Sequence, residues 1–129
     1  MPQTFIQNPN TPKRKAFIDA YVKAAHPKNG VIESAVSAAQ GYDSVLLLAA
    51  AIQQAGSTKG PDIRAALENL QKPVEGVIMT YKQPYSTTDH ETIDSPDMVY
   101  MGEVSKGRVV FAHPEDEKRS VANSGQAAQ

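Results

Sequence analysis

The spacing of apolar residues divides the chain into three helical segments followed by a β-rich stretch. Phe17, Ile18, Tyr21, Val22 and Ala25 recur at helical spacing behind Thr11-Pro12. That dipeptide reads as an N-cap with proline at the first helical position, where a missing N–H costs nothing. His26-Pro27 ends the segment, and a turn follows to Gly30. The second helix is the longest and most apolar. It is expected to start between Ser34 and Ala38 and to run to about Ala55, with Gly56 as a left-handed C-terminal cap. Val36, Ala39, Tyr42, Val45, Leu46, Ala49 and Ile52 form its stripe, which Leu47, Leu48 and Ala50 widen, so neighbours are expected on most sides. Gly41 costs about 1 kcal/mol relative to alanine inside a helix and marks a place for a break. Gly60-Pro61-Asp62 opens a short third helix with Ile63, Ala66, Leu67 and Leu70 inward.

Beyond Pro73 the period shortens from helical to alternating. Val77, Met79 and Tyr81 fall on one face of a half-buried strand over 76–82. A polar connection, 83–96, leads to β-rich segments at 97–104 and 108–112, joined by a Ser105-Lys106-Gly107 turn. The first ten residues read as an extended lead-in. The chain thus divides into a folded part, 1–112, and a flexible polar tail, 113–129. An isolated strand plus a hairpin makes a poor sheet. The middle helix is also more apolar than two short neighbours can cover. The expected fold class is therefore α/β: three helices, a strand and a C-terminal β-hairpin, forming part of an incomplete three-layer sandwich. The uncovered apolar helix also leads us to expect self-association.

Charge adds little to this picture. Thirteen Lys and Arg nearly balance fourteen Asp and Glu over 129 residues, for a net charge of -1, so no nucleic-acid partner is expected. There are no cysteines, hence no disulfides or thiolate chemistry. The apolar run Val45–Ile52 is too short to span a bilayer. Met1–Asn10 has no basic start, apolar segment or cleavage site, so no signal peptide is read there and the chain expressed as given is expected in the cytoplasm.

Several strings resemble those of type I periplasmic solute-binding proteins of branched-chain amino-acid ABC transporters. Ala38-Ala39-Gln40-Gly41-Tyr42-Asp43 through Ala51-Ile52-Gln53-Gln54-Ala55-Gly56 is similar to the family's Y-D and A-I-x-x-A-G stretch. Phe17-Ile18-Asp19-Ala20-Tyr21, Ile63-Arg64-Ala65-Ala66-Leu67-Glu68, Gly76–Tyr81, Pro84-Tyr85-Ser86 with Asp89-His90, and Met101–Val110 resemble further family segments in the same order. The resemblance covers about residues 12 to 112. It implies a C-terminal fragment of one lobe of a two-lobed receptor, a small solute such as a branched-chain amino acid, an ABC permease as partner, and a periplasmic location. It also implies that much of the ligand-contacting chain lies outside these residues. A small standalone α+β ligand-sensing or dimerising module is the alternative.

No catalytic chemistry is legible. His26, His90 and His113 are isolated, and no pair has metal-ligand spacing. Asp89-His90-Glu91 would point apart on an extended loop, and the family resemblance gives the Asp-His pair a structural role. Ser37, Ser44 and Ser57 lack a nucleophile setting, and there is no glycine-rich phosphate loop, so no enzyme, cofactor or metal is expected. Lys13-Arg14-Lys15 reads as a solvated helix start, and Asp43 as a local cap or pair. Tyr42 is the ligand-binding candidate. The resemblance puts it near the interlobe cleft, where an aromatic body with a hydroxyl tip suits a wall against an apolar solute. The competing reading makes it one more member of the buried stripe.

Overall fold

The computed structural model describes residues 9–92 and 96–125, which hold four α-helices and two separate two-stranded antiparallel sheets. The lead-in over 1–8 and the Ile93–Ser95 part of the polar connection lie outside the described residues. Together the elements make a partial α/β unit, as an incomplete lobe requires.

Helix α1, Pro12–Ala25, begins as its sequence dictates. Thr11 is extended at φ -141°, and its hydroxyl accepts the Arg14 N–H at 3.3 Å. His26 closes it in the left-handed region at φ 46°. Helix α2, Ala35–Ala55, runs through Gly41 without a break and ends at Gly56 with φ 60°. A Cβ at Gly41 would meet open space, so the fold makes no demand on that glycine. Helix α3, Gly60–Glu68, carries its proline in the first turn and packs along α2. With 21 residues, α2 is long and apolar enough to cross a membrane by length and composition, although the run Val45–Ile52 is not. It is nevertheless tied to the rest of the chain along one side, as follows.

The buried side of α2 is Ala35, Ala39, Asp43, Leu47 and Ala51, spaced four residues apart. The expected stripe is largely a different face: Val45 is 65% exposed and Tyr42 41%. With α2 apolar all round, periodicity cannot say which side faces inward. Two small clusters sit along the buried seam. Phe17, Ile32, Ala35, Ala39 and Val77 form one, and Leu47, Leu70 and Tyr81 the other. Asp43 lies between them.

The single strand expected over 76–82 is instead a tight hairpin. Strand β1, Val74–Glu75, pairs with β2, Thr80–Tyr81, and the Gly76 N–H closes the turn on the Met79 carbonyl at 2.9 Å. The alternation of Val77, Met79 and Tyr81 therefore marks no strand; the reversal is imposed from outside the segment by Asp43. The second ribbon matches expectation. Strand β3, Gly102–Ser105, pairs with β4, Arg108–Phe111, through Lys106 at φ 50° and Gly107 at φ 76°, the positive-φ pair that two-residue hairpins need.

The expected mobile tail is corrected over most of its length. Residues Pro114–Ser124 form a fourth helix, α4, ended by Gly125 at φ 69°. Its inward residues are polar: Asp116, Ser120 and Ser124 are buried at four-residue spacing. A helix held by hydrogen bonds on a polar seam leaves no apolar periodicity to read. Residues 126–129 lie outside the described residues.

Candidate functional site

The best-ordered polar geometry surrounds the hairpin tip, Gly76–Met79. From one side, Asp43 reaches it out of the middle of α2. Asp43 Oδ1 accepts the Val77 N–H at 2.6 Å; Oδ2 accepts the Ile78 N–H at 2.9 Å and the Tyr81 hydroxyl at 2.8 Å. The approach is close. A Cβ on Gly76 would come within 2.6 Å of the Asp43 carboxyl carbon and of the Tyr81 ring, so only glycine fits without displacing them.

From the other side Arg14 takes the carbonyls. Its Nε donates to Val77 O at 3.1 Å and one Nη to Ile78 O at 3.1 Å. The remaining bonds run to Asn10 Oδ1 at 2.6 Å, Ser120 Oγ at 2.9 Å and Ser120 O at 3.1 Å. Five N–H donors thus meet five acceptors drawn from three segments. Arg14 is fully buried, not part of a solvated basic face. Burial pulls its pKa down to about 10, against the nearby Tyr100 and Asp43, which favour the charged form. Burial is also the largest cause raising the Tyr81 pKa, and the Asp43 charge and hydrogen bond add to it. Asp43 and Arg14 direct their bonds to the hairpin backbone and to buried side chains, and so shape the hairpin tip. Asp43 pairs across 34 residues of sequence, not locally.

Tyr42 stands beside this network on the outer flank of α2. Its ring meets the buried Phe17 ring edge-on, with centroids 5.0 Å apart and an interplanar angle of 64°. At 41% exposure the ring is open to solvent apart from this contact with Phe17. It therefore departs from the buried stripe in which the second reading placed it.

The histidines do not converge. His26 and His113 are exposed at helix ends, and His90 Nε2 lies 3.1 Å from Glu68 Oε1. Glu68 also takes the Arg64 Nε at 2.7 Å, and this bond is the first cause of its lowered pKa. These groups rim an open cavity of about 460 Å³ whose floor includes Ile63, Leu67 and Tyr85. The Asp89-His90-Glu91 triplet is taken up in local turns, with Ser86 Oγ accepting the Asp89 N–H at 3.0 Å and Asp89 accepting the Glu91 N–H at 2.9 Å. Among the described residues no group of three His, Cys, Asp or Glu is placed to hold a metal.

Sequence reasoning took Arg14 for part of a solvated helix start and Asp43 for a local cap or pair, and it gave Ser120 no role. The available signal was the placement of Asp43, the sole charged residue in a 21-residue apolar helix. Such a carboxylate must be solvated by water or by specific donors.

Neither a comparison with curated proteins nor one with solved structures finds a match. The family model for periplasmic binding protein matches residues 1–108, which include the Tyr42 flank, the Asp43 hub and the β3–β4 turn. The chain belongs to the periplasmic binding protein family.

Proposed function

We propose that the chain acts as one wall of a solute receptor serving an ABC transporter of branched-chain amino acids or related small acids. The reading is supported by the family match over residues 1–108, with Tyr42 on Phe17 as the contact surface. The Tyr42 ring packs on the solute's apolar part while its hydroxyl meets a polar head. The opposite wall comes from the rest of a two-lobed receptor. A solute that touches both walls stabilises the closed form by its differential affinity, and the closed form docks on the permease in the periplasm. Binding and release require no catalytic step.

A receptor wall alone buries only part of its ligand. The chain titrated with leucine, isoleucine, valine and phenylalanine is therefore expected to bind more weakly than about 1 mM, a free energy smaller than about 4 kcal/mol. Amide and ring NMR shifts should centre on Tyr42 and Phe17, and Tyr42→Ala should abolish them. Micromolar affinity would show a complete site on this chain. Shifts centred elsewhere, or none at Tyr42, would remove it from the ligand wall.

One observation favours a second reading, a small standalone α+β ligand-sensing or dimerising module. Helix α4, beyond the family-matched residues, closes over Arg14 as an element of a self-contained fold would.

A further inference from the structure

The β3–β4 ribbon carries the most exposed large apolar side chain among the described residues. Val104 is 79% exposed, Met101 59% and Val99 54%, and all four residues of β3 lie open to solvent. On one side β3 pairs with β4; on its other side there is no strand among the described residues. The second flank of the ribbon is less open, because α4 packs against β4. A two-stranded ribbon is marginal by itself, and its outer edge presents backbone donors and acceptors that a further strand could use.

The turn fixes which groups those are. A two-residue turn makes Ser105 and Arg108 the first hydrogen-bonded pair, and bonded and non-bonded pairs then alternate along an antiparallel ladder. Ser105 and Glu103 therefore direct their backbone groups at β4, as does the Met101 carbonyl, while the Met101 N–H donates to Asp116 Oδ2 on α4 at 3.0 Å. The Ala112 N–H on the Met101 carbonyl at 2.9 Å fits that alternation. Gly102 and Val104 are left with N–H and C=O aimed outward.

We propose that this edge pairs with itself: two copies of the chain join β3 to β3 antiparallel, giving a four-stranded sheet in the order β4-β3-β3-β4. The backbone alternation admits only registers that match outward-facing residues. With Val104 opposite Val104 of the second copy, Glu103 faces the second copy's Ser105, a carboxylate opposite a hydroxyl, and two exposed valines cover each other. One step away, Gly102 opposite Val104 would set Glu103 against Glu103, which like-charge repulsion disfavours. Gly102 opposite Gly102 would set Val104 against Tyr100, which lies outside the strand with its side chain buried, so the edge suits a second copy best in the first register. This pairing goes beyond the receptor reading and does not depend on the solute.

Sedimentation of the full chain between about 10 and 500 µM tests it, a range in which a short strand pair of modest affinity changes population. The average mass is expected to rise from one chain toward two. Val104→Lys is expected to keep the chain monomeric, because two ammonium groups would meet across the dyad, and an equal mixture of Val104→Lys with Val104→Glu is expected to restore association. Val45→Lys on α2 is expected to change nothing. The register has its own readout. On mild oxidation Val104→Cys should form a covalent dimer at least about tenfold faster than Met101→Cys or Val45→Cys, since directly opposed Cα atoms lie within disulfide reach. A chain that stays monomeric throughout, association that survives Val104→Lys, or crosslinking as fast at Val45 as at Val104 would overturn the proposal.

Discussion

Asp43 stabilises the fold by accepting three hydrogen bonds at a buried position. Its neighbours on α2 are apolar, and its partners are two backbone amides and a phenol more than thirty residues away in sequence. Asp43→Asn keeps the volume but sets an amide donor against donors, so unfolding free energy is expected to fall by about 2–4 kcal/mol in a denaturant titration. Tyr81 gives the same hub a pH signature. Its folded pKa is raised above the ordinary value of about 10, so the stability it adds is fully present below that pH. The contribution is lost as pH climbs above 10, where the unfolded phenol ionises first. The stability difference between the native chain and Tyr81→Phe, measured by denaturation from pH 8 to 11, is therefore expected to be constant at first. It should then shrink by up to about 1.4 kcal/mol per pH unit above 10. Taking the difference between the two proteins cancels the Arg14 contribution, which is common to both. At this scale little was legible in the sequence. Lys13-Arg14-Lys15 looks like one basic run, yet Lys15 is exposed and bonded to Asp19 at 2.8 Å while Arg14 is fully buried.

Among the elements, those with local stop and start signals were read correctly. Thr11-Pro12, Gly56, Gly60-Pro61 and Lys106-Gly107 act through their own φ preferences or caps, and the structure places a boundary at each. Two elements follow from contacts distant in sequence, and both were misread. The 76–79 reversal follows from Asp43, 34 residues earlier in the chain. Helix α4 follows from Arg14, 106 residues from Ser120. Yet α4 did carry end signals: Pro114 in its first turn, then Glu115, Asp116 and Glu117, with Gly125 after its last residue. Without apolar spacing beside them, such signals do not announce a packed helix. Since α4 is held by polar groups, removing one should loosen the helix more than the core. Ser120→Ala withdraws one acceptor from a buried guanidinium. It is expected to cost about 1–3 kcal/mol and to speed amide hydrogen exchange in 114–124 well beyond that in α2. Uniform acceleration throughout would show that α4 is no separable unit.

Seen whole, the molecule has a narrow core and open flanks. The seam of α2 joins two small apolar clusters through Asp43, while Val45 at 65% and Leu48 at 44% exposure remain outside. The sequence foretold uncovered apolar surface from the bulk of α2, but it could not locate it, because a helix apolar on every side gives no direction to its moment. The β3 edge was equally hidden. Val104 is one valine in a strand until its neighbours are known.

The guanidinium shared between Arg14 and Ser120 also sets an order of events during synthesis. The cation leaves the ribosome well before one of its main acceptors, which follows 106 residues later. Until then, burying that charge would leave donors unanswered, so the hairpin tip it grips has reason to stay open. Completion of the core waits on helix α4 to emerge, and a protease that removes that helix afterwards would reopen a gap some hundred residues upstream.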